Sequence, residues 1–228
     1  PRTAQRDLPK GRITLLSAWS LFGVSAGIFV LASYGLNRIC FYLSPVALFF
    51  ICFYSVTKRF TDYTHFFLGI ALGLAPIGAW LAVKGEVVFW PLGSSVILPL
   101  VLAVTVVFWL VGFDVIYALQ DYEFDRAHGL RSLVVAWGPK NALQAAFLSH
   151  MLMWGCLMLL GLLCRFRMAY FVGALFILAC LLLEHWLARP RDLKWINTAF
   201  FKLNALISLI FFAVTLAEVV FPGFRFVR

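Results

Sequence analysis

Apolar residues run through this chain in long blocks broken by short polar interruptions. Seven blocks reach or approach the roughly 20 residues that an α-helix needs to cross a hydrocarbon core. They lie near 13–35, 40–56, 64–83, 94–113, 141–163, 168–188 and 197–221, the second being the shortest. No segment alternates apolar and polar positions as a barrel strand does, and backbone groups in lipid need internal partners. The pattern therefore predicts an all-α, polytopic transmembrane bundle. Neither a low-complexity linker nor an internal repeat divides it, so residues 1–228 read as one membrane-embedded domain.

Composition sharpens this picture. Hydrophobic residues make up 63% of the chain and charged residues 13%, far from the balance of a water-soluble domain. The polar flanks of seven crossings sort onto two sides. Arg2, Arg6, Lys10, Arg12, Lys58, Arg59, Arg126, Arg131, Lys140, Arg189, Arg191, Lys194 and Lys202 fall on one; Arg38, Lys84, Arg165, Arg167, Arg225 and Arg228 fall on the other. Cationic loops stay in the cytoplasm, so the N-terminus, the Lys58 loop and the Asp114 loop are expected there. That bias and anionic lipid account for the net charge of +9 without a nucleic-acid partner.

The bias does not account for the acids. Asp114, Asp121, Glu123 and Asp125 gather in "DVIYALQDYEFD", in a chain with ten acidic residues. On a continuous helix Asp114, Asp121 and Asp125 would lie within about 40° of one another, with Glu123 on the far side. Three anions on one strip repel unless a cation compensates them. Mg²⁺ suits such a strip, because it takes hard oxygen ligands from one or two carboxylates and completes its shell with water and phosphate. Arg126 and Arg131 follow the acids, and Lys58 and Arg59 are placed on the same side, where they can meet diphosphate oxygens. The alternative is a solvated loop whose acids pair with those arginines.

The spacing Asp114-x-x-Tyr117-Ala118-x-x-Asp121-x-x-x-Asp125-x-x-x-Gly129-x-x-Ser132, followed by Gly138, resembles the second aspartate-rich motif of the UbiA superfamily of intramembrane prenyltransferases. Residues 54–80, "YSVTKRFTDYTHFFLGIALGLAPIGAW", are similar to the family segment with a Lys-Arg pair before a Gly-rich helix. Residues 1–13, "PRTAQRDLPKGRI", resemble the stretch that follows the family's first aspartate motif. The resemblance implies a fold of about nine helices, of which seven are present here. Two helices and the first aspartate motif are then expected upstream of Pro1, and the chain as written would carry half of the metal site and is expected to be inactive alone.

What the resemblance implies chemically is Mg²⁺-dependent transfer of a polyprenyl group from polyprenyl diphosphate to the ring of an aromatic acid, of the 4-hydroxybenzoate type, in quinone biosynthesis. The same chemistry on 1,4-dihydroxy-naphthoate for menaquinone is the alternative acceptor. Asp114, Asp121 and Asp125 match the motif's metal-binding acids. Lys58 and Arg59 match its basic pair for the diphosphate, Tyr117 a motif tyrosine beside the reacting carbon, and Arg131 and Ser132 further phosphate contacts. The expected setting is a bacterial inner membrane with the active-site loops cytoplasmic. From another class, a cation- or proton-coupled transporter is the rival, opposed by the odd helix number, the absence of an inverted repeat and the confinement of the acids to one loop.

Other features carry plainer readings. Gly23 and Gly27, and Gly69 and Gly73, have the spacing of close helix packing. His65, His128, His150 and His185 show no metal-ligand spacing, and Glu184 and His185 fall near the cytoplasmic end of the sixth segment, where interfacial placement costs little. Trp19, Trp80, Trp90, Trp137 and Trp195 lie near segment ends, as an aromatic belt does. The five cysteines have no CxxC spacing and read as apolar packing residues. No Walker motif, GxGxxG loop or Ser-His-Asp arrangement points to other chemistry.

Overall fold

The structure, a computed structural model, describes residues 6–90, 95–188 and 193–221. Arg2, Arg189, Arg191, Arg225 and Arg228, and the side chains of Lys194 and Trp195, lie outside the described residues. Among the described residues eight α-helices follow in order: α1 Leu15–Leu36, α2 Arg38–Phe53, α3 Thr64–Lys84, α4 Ile97–Ala118, α5 Tyr122–Ala127, α6 Leu133–Leu163, α7 Met168–Leu187 and α8 Leu193–Val220. Among the described residues, seven helical segments are long and apolar enough to cross a membrane, in agreement with the hydropathy pattern.

Local chemistry sets most of the boundaries. Thr14 caps α1, its Oγ1 accepting from the Ser17 amide at 3.1 Å. Asn37 sits in an extended conformation between α1 and α2, accepts from the Cys40 amide at 2.9 Å and donates from Nδ2 to the Leu81 carbonyl at 2.8 Å. One side chain thereby starts α2 and ties it to the end of α3. Gly85, at φ 68°, closes α3 in the left-handed region that a residue with a Cβ resists.

Two boundaries differ from those read in the hydropathy. The fourth segment runs on to Ala118, so Asp114 and Tyr117 are helical residues and not loop residues. The fifth is preceded by a short helical arm that Ser132 starts at Leu133; at Gly138 (φ 76°, ψ 157°) the backbone leaves the helical region, and the long arm of α6 runs on from Pro139, close to the expected 141. The apolar run marked only the long arm beyond that bend.

Helix α4 is the centre of the bundle, packed between α3 and α6. Gly69 and Gly73 make the α3 contact close: a Cβ on either would stand 3.0 Å from a carbonyl oxygen of α4, Val107 and Ala103 respectively. The antiparallel register that follows sets His65 at the start of α3 beside Asp114 near the end of α4. Gly23 and Gly27 meet nothing within 4 Å; on α1 almost every side chain is exposed, as a lipid-facing surface would be. One apolar cluster, with Val111, Val115, Ile116, Leu133, Val134 and Ala146 at its heart, supports the end of α4 that carries the acids. A second, of Met153, Leu157, Ile177, Leu181 and Ile207, joins α6, α7 and α8.

Candidate functional site

Two connections meet where α3 begins and α4 ends. The first leaves α2 as a tight 3-10 run, Tyr54–Arg59. Thr57 is fully buried there; its Oγ1 lies 2.6 Å from the Tyr54 carbonyl and 2.6 Å from Thr64 Oγ1. That hydroxyl pair closes the connection on the first residue of α3 and presents Lys58 and Arg59 at its tip.

The second connection carries the acidic motif. After Ala118 the chain tightens into a 3-10 turn, Leu119–Asp121, and resumes as the short α5. The single helical strip expected for Asp114, Asp121 and Asp125 is therefore interrupted. A 3-10 turn advances about 120° per residue instead of 100°, so the three aspartates reach different environments.

Asp125 is turned inward. Its side chain is 3% exposed and its Oδ2 accepts from Lys58 Nζ at 2.8 Å, while the lysine remains 35% exposed. The ion pair bridges the two connections, and the backbone reinforces it. The Arg131 amide donates to the Lys58 carbonyl at 2.9 Å, and Arg131 Nη1 donates to the Phe60 carbonyl at 2.8 Å. The Leu130 amide returns to the Asp125 carbonyl at 2.9 Å.

Asp114 is held differently. Its Oδ2 lies 2.7 Å from Nδ1 of His65, a ring with no exposed surface, while the Asp114 side chain keeps 25% of its own. Asp121, half-buried, ends the 3-10 turn and does not cap α5. Tyr117, one turn beyond Asp114, meets Phe201 of α8 edge-on at 6.1 Å, which brings a further helix to the rim.

The expected site residues thus divide. Lys58, Arg59, Asp114, Tyr117, Asp121 and Asp125 belong to one junction. Arg131 works first as a staple between the two connections. Ser132, expected to contact phosphate, is fully buried, and its Oγ accepts from the Val135 amide at 3.2 Å, a cap that starts α6. Among the described residues no three His, Cys, Asp or Glu side chains converge into a metal cage. Asp125 is paired with an ammonium group; Asp114 and Asp121 are the other two aspartates of the motif, and carboxylate oxygen is a donor type that suits a hard cation. Two are enough for Mg²⁺ completed by water and phosphate.

His65 is the residue that spacing did not single out. It lies 49 positions from Asp114, and only the α3–α4 register, set by Gly69 and Gly73, brings them together. Glu184 and His185 also take part in hydrogen bonds. Glu184 is 2% exposed and accepts from Asn204 Nδ2 at 3.2 Å; Asn204 Oδ1 accepts from Trp109 Nε1 at 2.8 Å. His185 lies 2.9 Å from His150, whose other ring nitrogen faces the Trp109 carbonyl at 3.3 Å. These groups, in the last turn of α7 and beside it, form a second polar network within the bundle, joining α4, α6, α7 and α8.

The chain as a whole is similar to known proteins. The sequence profile described as the UbiA prenyltransferase family matches residues 1–206. A 4-hydroxybenzoate octaprenyltransferase of Aromatoleum aromaticum is 30% identical over 226 residues, covering 97% of this chain and 72% of that protein. Another of that name from Tolumonas auensis is 29% identical over 221 residues, 95% of this chain and 72% of the relative. The solved apo structure of a UbiA homolog from Aeropyrum pernix K1 superposes with a TM-score of 0.84 at 29% identity, covering 96% of this chain and 78% of that one.

Proposed function

The chain belongs to the UbiA prenyltransferase family, and from that premise we propose that it transfers a polyprenyl group from polyprenyl diphosphate to the ring of an aromatic acid of the 4-hydroxybenzoate type. The observation that carries the reading is the junction fastened by the Lys58–Asp125 pair at 2.8 Å. It sets a Lys-Arg tip against the end of the helix that bears Asp114 and Tyr117, at one end of a membrane bundle. The names of the similar proteins from Aromatoleum aromaticum and Tolumonas auensis support the acceptor class.

Breaking a prenyl–oxygen bond leaves negative charge on diphosphate, and preorganised cations lower the barrier most where that charge develops. Lys58 and Arg59 supply it from the protein. Anchoring Lys58 on Asp125 fixes the ammonium before substrate arrives, while its partial exposure leaves hydrogens to donate outward. Asp114 and Asp121 would hold Mg²⁺, which when bound contributes Lewis-acid stabilisation to the leaving diphosphate. Tyr117 presents a π face to electron-poor prenyl carbon. The apolar helices around the junction accept the hydrocarbon tail and keep water from the reacting carbon. The cationic flanks support a cytoplasmic position for this end of the bundle.

The test is transfer of a labelled polyprenyl group from its diphosphate to 4-hydroxybenzoate or 1,4-dihydroxynaphthoate. It uses membranes carrying the protein at its full natural length, with Asp121→Ala as control. A Mg²⁺-dependent, prenylated 4-hydroxybenzoate that vanishes in the control is expected. Prenylation of the naphthoate alone would reassign the acceptor, and product from neither would remove the reading.

A further inference from the structure

We infer that His65 is a positioning residue for Asp114, fixing which carboxylate oxygen turns toward the cation–diphosphate site. The inference rests on the proposed function and concerns a residue outside the acidic motif.

The geometry points to this in three ways. The ring is wholly buried at the first turn of α3, and its Nδ1 stands 2.7 Å from Asp114 Oδ2, a short, charge-assisted bond. Its Nε2 is buried with no hydrogen-bond partner among the described residues. A proton on Nε2 would be an orphaned donor in a dry site, which is costly, whereas a bare lone pair there costs less. The ring therefore makes one directed bond, from Nδ1–H to Oδ2, and the other carboxylate oxygen is left for the site. Asp125, by contrast, faces a full positive charge from Lys58 at 2.8 Å.

The place of the ring beside Asp114 is set by the same contacts that set the helix register. His65, Gly69 and Gly73 lie four residues apart on one face of α3, and the glycines press that face against the α4 backbone at Val107 and Ala103. A carboxylate at a helix end can rotate freely in water; here α3 removes that freedom. Outer partners of this kind typically change metal affinity by about 10- to 100-fold when removed.

The experiment measures binding, not turnover. Mn²⁺ is titrated by electron paramagnetic resonance in the presence of inorganic diphosphate, using purified full-length protein in lipid nanodiscs. The variants are Asp114→Asn, His65→Leu, His65→Asn and His65→Gln. Asn places an amide N–H where Nδ1 stands; Gln carries it one bond too far. Wild type and His65→Asn are expected to bind within about threefold of one another, and Asp114→Asn, His65→Leu and His65→Gln to bind at least about tenfold more weakly. If Asp114→Asn weakens binding but all three His65 variants match wild type, His65 does not position Asp114. Equal losses in His65→Asn and His65→Gln would reduce the ring to a packing role and also overturn the inference. Failure of the wild-type protein to bind Mn²⁺–diphosphate would instead remove the site reading on which the inference stands.

Discussion

Two polar networks stand in the described part of the bundle, and they differ in how far they open to the outside. The one at the α3–α4 end contains net charge in pairs that are partly open: Lys58 is 35% exposed against a buried Asp125, and Asp114 25% exposed against a buried His65. The other, through Trp109, Asn204, Glu184, His150 and His185, is closed to the outside at Glu184 and His150, which are buried, and Glu184 Oε2 has no hydrogen-bond partner among the described residues. His150 is so tightly seated that a Cβ on Gly112 would stand 2.2 Å from its ring. Burying hydrogen-bonded polar groups fixes how helices pack; leaving one partner of each pair accessible allows an outside ligand to complete it. Polarity inside a membrane bundle does not by itself mark a catalytic site, and accessibility separates the two cases.

The largest effect is expected from breaking the open network at its ion pair. Lys58→Ala leaves Asp125 as an uncompensated buried anion; stability should fall by about 3 kcal/mol in a denaturation titration, and prenyl transfer by at least about a hundredfold. The double variant Lys58→Met/Asp125→Asn should recover most of the stability without recovering transfer. Recovery of both would make the pair purely structural.

The closed network should behave in the opposite way. His150→Leu removes its bonds to His185 and the Trp109 carbonyl, and should lower stability by about 1–3 kcal/mol while transfer by the folded fraction stays near wild type. A transfer defect exceeding the loss of folded protein would join the two networks functionally.

These contrasts also show what could be read from the chain and what could not. Helix number and most spans were legible because lipid imposes a length and an apolar composition on each crossing. The acidic motif and the Lys-Arg tip were legible because charges are scarce here and their spacing is distinctive. The break at Leu119–Asp121 was not, since a helical strip assumes constant rotation and a 3-10 turn changes it by three residues of local backbone. The roles of Ser132 and His65 were hidden for separate reasons. A serine before an apolar run suits a cap as well as a phosphate, and a histidine 49 residues from its partner becomes meaningful only when two glycines bring their helices together.

Smaller effects sharpen the open network further. Gly69→Leu should push α3 off the Val107 carbonyl and cost about 1–3 kcal/mol, with Mn²⁺–diphosphate affinity falling in parallel as His65 leaves Asp114. Tyr117→Phe keeps the ring that meets Phe201 edge-on and should hold transfer within a few-fold; Tyr117→Leu should lose about tenfold, the scale of one aromatic contact. Ser132→Ala should lower stability by about 1 kcal/mol through loss of the α6 cap and leave the KM for polyprenyl diphosphate unchanged. A raised KM in Ser132→Ala would return that hydroxyl to the phosphate site.

The most direct measurement is calorimetric binding of a non-hydrolysable polyprenyl diphosphonate, with Mg²⁺, to three full-length proteins in nanodiscs: wild type, Lys58→Met/Asp125→Asn, and His150→Leu. Binding that survives in His150→Leu and is lost in the folded Lys58→Met/Asp125→Asn protein is predicted. Equal affinity in wild type and Lys58→Met/Asp125→Asn would contradict the account, because the diphosphate would then be held somewhere other than the junction of α3 and α4.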